Sequence, residues 1–283
     1  MTDTTHTMNH HFSETETPPV VLTFSATDPT AGAGLQADLL TLTSLGCHAL
    51  SVVTGITVQD TRGVDSIHPV DTELLIDQAR TVLEDTPVAA FKIGLVVDVD
   101  NIAAIADIIS DYPEAHVILD PILASGGGDE LSTEDTIAAL KELLIPQSTI
   151  ICPNSLEARR LIGDHDDPET LANCAQALLG LGTEYVLITG THEQTGDVLN
   201  CLYNAEGLVR QDAWQRLPGS FHGSGCTLSS AIAANLAHGM AIEEAVSDAQ
   251  DFTWHALAAS FHPGMGQYIP DRFFWTQIFD EDM

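Results

Sequence analysis

From residue 20 almost to residue 260, short runs of consecutive apolar residues alternate with longer stretches whose apolar positions recur every three or four residues. The first pattern suits a parallel strand buried on both faces, and the second marks an amphipathic helix. Residues 20–25 (VVLTFS) predict the first strand. A loop of small residues, Ala26 to Gly34, leads from it into a helix over 35–45. A strand at 48–56 ends in the polar stretch TVQDTRG. Helices are expected at 71–83, 99–109, 134–144 and 169–181, and another opens after Pro153. They are interleaved with strands at 88–95, 117–121, 149–152 and 185–189. Residues 197–203 and 208–213 read as an antiparallel hairpin turning at Asn204-Ala205-Glu206-Gly207. Two helices follow, a small-residue one starting near Cys226 and another over 242–260. Repeated strand–helix units predict an α/β domain, a three-layer α/β/α sandwich on a mostly parallel central sheet.

No repeat or Pro/Ser-rich linker divides this span, so residues 20–262 read as one domain between a polar tail, 1–19, and a C-terminal tail, 263–283. The first nineteen residues hold no Lys or Arg and no apolar core, which argues against a signal or transit peptide. His6, His10 and His11 there read as solvated residues of a disordered tail. No apolar run approaches the length that spans a bilayer.

Charge sharpens the picture. The chain of 283 residues carries 41 acidic and nine basic residues, a net charge of -32. Nucleic acid and anionic membranes are poor partners for such a surface, because phosphate contacts need Lys and Arg. The acidity suits a salt-rich cytoplasm. The lysines are Lys92 and Lys141 alone, so any bound polyphosphate must rely on few cations, on backbone N–H groups or on a metal. Five scattered cysteines without a C-x-x-C pair fit reduced thiols in the cytoplasm.

Candidate chemistry gathers around residues 221–238, FHGSGCTLSSAIAANLAH. Gly223-Ser224-Gly225 runs straight into a helix, whose unpaired N–H groups and partial positive charge make a natural seat for an anion. A simple turn capping a buried helix is the competing reading. The loop 26–34 is neither G-x-G-x-x-G nor a P-loop, since it lacks the lysine. Asp38 falls in the expected first turn of its helix, where a carboxylate commonly faces solvent as a dipole partner. Gln59 and Asp120 stand at the carboxyl ends of strands, where open α/β sheets bind ligands. Ala124-Ser125-Gly126-Gly127-Gly128 has the flexibility of a flap. Asn154 and Glu157 form a capping-box pattern, and the same side chains could hold a hydrated Mg²⁺; position alone favours the cap.

The stretches TDPTAGAGLQADLLTLTSLG, TVQDTRGV, FKIGL, ILDP, CPNSLEA and HGSGCTLSSAIAANLA together resemble the hydroxymethylpyrimidine/phosphomethylpyrimidine kinases of thiamine synthesis, within the ribokinase-like superfamily. They occur in that family's order over most of residues 20–260. The resemblance implies ATP-dependent transfer of the γ-phosphoryl group to a primary alcohol, first on the pyrimidine and then on its monophosphate, with Mg²⁺ and a homodimer. It assigns Gln59, Asp38 and Leu95 to the substrate. Gly223, Ser224 and Gly225 would hold the transferring phosphoryl group, with Cys226 as proton acceptor at a helix start that lowers its pKa. Thr189 and His192 would flank the nucleotide, and Asp120, Asn154 and Glu157 would position the metal through water. The sequence departs from the family pattern in lacking a lysine at Thr189 and another at Gly126. Ala26 replaces a glycine and Leu95 a methionine. Mg²⁺ or Arg62 would have to make up the missing charge. Two other functions stay open at this point: a pyrimidine-binding protein without turnover, and a pyridoxal or pyridoxine kinase.

Overall fold

The computed structural model describes residues 17–125, 127–128, 130–163 and 170–279. His6, His10, His11 and Gly126 lie outside them. Strand β1 (Val20–Thr27) is buried almost throughout and leads into helix α1 (Gly34–Ser44). Strand β2 (His48–Asp60) runs four residues beyond its expected end, and β3 (Gly63–Pro69) pairs back on it antiparallel. Gln59 is therefore part of a β-ladder, opposite Val64, rather than of a loop. The alternation continues through α2 (Thr72–Asp85), β4 (Ala90–Ile93), α3 (Val99–Ser110) and β5 (His116–Leu119). Helix α4 (Glu134–Ala139) is shorter than expected. It widens into a π turn, Leu140–Leu144, and a 3₁₀ turn, Ile145–Gln147, where Pro146 supplies no N–H to continue the ladder. Then come β6 (Ile150–Ile151), α5 (Ser155–Ile162), α6 (Leu171–Leu179), β7 (Tyr185–Ile188), the hairpin β8 (Asp197–Asn204) and β9 (Gly207–Gln215), α7 (Ser224–Ala237) and α8 (Ile242–Ala258).

Among the described residues the sheet has nine strands, in the order β3-β2-β1-β4-β5-β6-β7-β8-β9, parallel from β2 to β7 and antiparallel at both edges. Side chains alternate between its faces. Leu22, Phe24, Phe91, Ile93 and Leu119 pack under α2 to α6; Val21, Ala90, Ile118 and Leu187 pack under α1, α7 and α8. This is the three-layer α/β/α sandwich that the sequence predicts. The chain passes from β1 to β2 on one side and, after β3 and α2, enters β4 on the other side of β1, so the carboxyl ends of these strands border a crevice.

The C-terminal stretch, expected as a tail, returns onto the domain. His222 N donates to Tyr268 O (2.8 Å) and Tyr268 N to Ser220 O (2.9 Å). Phe221 packs on Tyr268 and Phe252 on Phe274, which gives these aromatic residues a surface to bury. Among the described residues no helix is long and apolar enough to cross a membrane.

Candidate active site

The start of α7 is shaped by Gly223. Its φ of 83° is left-handed, and a Cβ there would collide with the carbonyl oxygen of Gly32. The first intrahelical bond runs from Thr227 N to Gly223 O. The N–H groups of Ser224, Gly225 and Cys226 precede it and carry the positive end of the helix. Asp28 braces the facing loop: its carboxylate accepts from Thr30 N (2.8 Å), Ala33 N (2.7 Å) and His222 Nε2 (2.8 Å). Burial alone would raise its pKa, but those donors, His222 first, hold it at about 2.

Beneath the crevice lies a buried charge cluster. Lys92, on the α7 face of β4, places Nζ 2.8 Å from Asp38 Oδ1 and 4.0 Å from Asp120 Oδ2. The contact with Asp38 is a close pairing of charges whose alignment is poor for a hydrogen bond. Burial opposes the lysine's charge, but Asp38 leads Cys226 and Asp120 in outweighing it, so the pKa is raised. Asp38 also accepts from Thr23 Oγ1 (2.8 Å) and Ser230 Oγ (2.9 Å). The expectation that Asp38 faces solvent as a dipole partner is thus corrected. Helix α1 begins at Gly34, Asp38 sits one turn in, and its carboxylate serves as counter-ion inside the core.

Cys226 needs a second correction. Its position at a helix start predicts a lowered pKa, yet burial raises it to about 12; Lys92 pulls the other way, while Asp120 and Asp38 add to the rise. Desolvation outweighs the helix dipole here. The residue is a neutral thiol at pH 7.

Asp120 and Glu157 border the crevice as a carboxylate pair. Asp120 accepts from Ser229 Oγ (3.1 Å), and its pKa is raised by burial despite Lys92. Glu157 accepts from Asn154 N (2.9 Å) and Leu123 N (3.3 Å). Burial first, then Asp120, pushes it up to about 8. Asn154 Oδ1 accepts from both Leu156 N and Glu157 N (2.9 Å each), so the capping box is formed and that oxygen is occupied. Asn154 thereby orients Glu157. Among the described residues no three His, Cys, Asp or Glu side chains converge as a metal cage. Two buried carboxylates short of positive charge nevertheless fit a cation that keeps several waters and shares ligands with phosphate.

These groups open onto one cavity of about 700 Å³ along the carboxyl edge of the sheet. Gln59 and Leu95 line it on the side of β2 and β4, next to Gly223-Ser224-Gly225 and Cys226. Thr189 and His192, after β7, line it farther along, followed by Trp214 on β9 and Trp254 on α8, whose rings stack with centroids 6.4 Å apart. Of the described Lys and Arg side chains, Arg216 is the one that lines it; it donates to Thr191 O (2.7 Å) and Glu193 O (3.0 Å). Arg62 instead pairs with exposed Asp60 and lines a smaller adjoining cavity that shares Gln59. Sequence reasoning missed Arg216, the two tryptophans, the Asp28–His222 pair and Lys92. For Lys92 a signal existed, a lone lysine inside the apolar run AFKIGL, which demands a buried counter-ion.

Comparison with known proteins agrees with this geometry. The chain is 37% identical over 250 residues to the hydroxymethylpyrimidine/phosphomethylpyrimidine kinase of Rhizobium meliloti (strain 1021), covering 88% of this chain and 94% of that protein. It is also 37% identical to the thiamine biosynthesis bifunctional protein ThiED of Geobacter sulfurreducens, of which it spans half the length (87% of this chain). Among solved structures, the phosphomethylpyrimidine kinase of Clostridium difficile 630 aligns at 31% identity with a TM-score of 0.73, covering 84% of this chain and 99% of that one. The pyridoxal kinase of Bacillus subtilis, solved as an ADP complex, aligns at 28% identity with a TM-score of 0.84, covering 92% and 100%. With the family's sequence model matching residues 28–271, the chain belongs to the phosphomethylpyrimidine kinases, a family of phosphotransferases with a ribokinase-like fold.

Proposed function

We propose that this chain phosphorylates the primary alcohol of 4-amino-5-hydroxymethyl-2-methylpyrimidine, and then the resulting monophosphate, with MgATP as donor. One observation carries the reading: the Gly223-Ser224-Gly225 cradle opens onto the same cavity as Gln59 and the Asp120–Glu157 pair. Each transfer breaks the bond between the γ-phosphorus and the bridging oxygen to ADP; the first forms a bond to the alcohol oxygen, and the second forms one to an oxygen of the monophosphate. It asks chiefly for alignment and charge neutralisation. The backbone N–H groups of the cradle receive the transferring oxygens, and the helix dipole adds positive potential. Gln59 both donates and accepts, which suits the edge of an aminopyrimidine ring, while Leu95 supplies apolar contact. In a loose transition state the hydroxyl proton leaves late, to an oxygen of the arriving phosphoryl group or to water, so a neutral Cys226 contributes position rather than a resident base. Thr189, His192 and Arg216 line the nucleotide side, and Trp214 and Trp254 offer flat apolar surface for a base. Mg²⁺ would neutralise phosphate charge there, and Asp120 and Glu157 would hold it.

A homodimer through the β2–β3 hairpin accompanies this reading, because Ile56 and Val58 stand on one side of β2 at 54% and 49% exposure. Replacing both with Asp should yield monomers in sedimentation.

The function is tested by ADP release from MgATP with hydroxymethylpyrimidine, its monophosphate and pyridoxal, at low and high KCl. Turnover on both pyrimidines, reduced in Gln59→Ala, is the expected result. Pyrimidine binding to folded protein without turnover at any salt would leave a binding protein, and turnover on pyridoxal alone would move the acceptor to that ring.

A further inference from the structure

Arg272 lies one residue beyond the span matched by the family model and is 2% exposed. Its guanidinium reaches three points of the site. Nη2 donates to Gly32 O (2.6 Å), Nη1 to Ala31 O (3.4 Å) and Nε to Thr227 Oγ1 (3.1 Å). Thr227 Oγ1 in turn donates to Gly223 O (2.8 Å), the residue that opens the anion cradle. One planar fork thus ties the loop after β1 to the first turn of α7, a geometry that Lys could not reproduce.

The two tied segments need such a tie. Gly32 O and Gly223 Cα are in such close contact that a Cβ does not fit between them. Ala31, beside Gly32, holds a φ of 58°, the one left-handed non-glycine conformation among the described residues. The arginine is itself fixed from behind. Asp271 N donates to Ala256 O (3.0 Å) on α8, and Ser44 Oγ donates to Arg272 O (2.6 Å). The same C-terminal stretch backs the cradle a second time through the Tyr268 bonds to His222 and Ser220.

We propose that Arg272 is a positioning residue for phosphoryl transfer, clamping the 31–32 carbonyls onto Thr227 so that the N–H groups of residues 224–226 keep their aim. The kinetic part of this inference rests on the phosphotransferase reading; the clamp itself does not. Burial lowers the pKa of Arg272 to about 10, against the pull of the carboxylates Asp38 and Asp28, and the group keeps its charge at neutral pH.

The test compares full-length wild type, Arg272→Ala and Arg272→Lys by amide hydrogen exchange and by steady-state kinetics. Arg272→Ala should speed exchange selectively in peptides covering 28–33 and 221–227. It should also lower kcat about a hundredfold with little change in KM for the pyrimidine, as misalignment near the reacting atoms does. Millimolar guanidinium should restore part of kcat, and sodium at equal concentration should not. Arg272→Lys, which keeps the charge in the core, should fold and show the same selective exchange. Unchanged exchange in both peptides, or exchange raised evenly across the chain, overturns the clamp. Selective exchange in a wild type background that transfers no phosphate keeps the clamp and removes the kinase reading. Intact kcat in either variant, with wild type active, overturns the positioning role.

Discussion

Lys92 Nζ and Asp38 Oδ1 stand 2.8 Å apart with both side chains sealed from solvent, one on the fourth strand and the other on the first helix. Asp120, at the crevice, lies 4.0 Å from the same ammonium, so one cation holds down two carboxylates. Lys92→Met keeps the volume but leaves Asp38 and Asp120 facing each other without a counter-ion. Breaking a buried pair from one side costs roughly 3–5 kcal/mol, since the remaining charge stays desolvated. Urea midpoints should show a loss of that order for Lys92→Met, largely recovered in Lys92→Met/Asp38→Asn. A single mutant within about 1 kcal/mol of wild type would mean that the pair is not coupled in this way.

Gly223→Ala tests the cradle. The substitution puts a Cβ against the Gly32 carbonyl and strains a left-handed backbone, so the first turn of α7 must move. Loss of an oxyanion donor typically lowers kcat by about 10²–10³, and the same order is expected here. Titration of the pyrimidine, whose proposed contacts lie on Gln59 and Leu95, should change far less. An equal loss of binding and turnover would show that Gly223 shapes the acceptor end instead.

The fold was legible because its signals are local and repeated. Buried strands such as VVLTFS and amphipathic helices between them leave few topologies open, and the cradle carries its own glycine pattern. What stayed hidden depended on which way a side chain turns. Asp38 reads as a surface dipole partner until the face of the first helix is known. Cys226 reads as an activated thiol until its burial is known, because a helix start and a desolvated pocket push its pKa in opposite directions. Arg272 and Trp254 reach the site from more than 200 residues along the chain from β1 (Val20–Thr27), and no spacing rule announces them. The β2–β3 hairpin was missed because GVDSIHP is short and mostly polar, as an edge strand can be.

Asp28 links the site to acid stability. Its pKa of about 2 in the folded chain lies below its ordinary value of 3.8. The unfolded state then binds more protons between those values, so stability rises with pH across that window. The contribution is complete above about pH 4 and is lost as pH falls through about 2, at most roughly 2 kcal/mol. Asp28→Asn should lose less stability than wild type between pH 6 and pH 3 in paired urea titrations. Equal losses would show that the carboxylate is not held by Ala33, Thr30 and His222 as described.

The raised pKa of Cys226 makes a kinetic forecast. A thiol titrating at about 12 stays neutral through the working range, so kcat should not climb with pH as a thiolate base would require. Cys226→Ser should keep a flat profile from roughly pH 7 to 9 and most of the rate. A tenfold rise per pH unit in wild type, absent in Cys226→Ser, would restore the thiolate as proton acceptor.

Salt dependence follows from the charge balance. Arg62, Arg80, Arg159, Arg160 and Arg210 all sit in ion pairs with carboxylates, which leaves a large unpaired acidic excess on the surface. Screening acts on both. Each exposed pair is worth only about 0–1 kcal/mol, so losing part of it to salt is a small effect. The net charge of -32 repels itself over distances comparable with a Debye length of about 30 Å at 0.01 M, which shrinks to about 3 Å at 1 M. Repulsion therefore outweighs the ion pairs, and urea midpoints should climb steadily as KCl is raised over that range. NaCl should match KCl, whereas sucrose at equal osmolality should not reproduce the ionic part of the rise. A midpoint that falls with salt would place the balance with the ion pairs and show the acidic excess to be harmless to the fold.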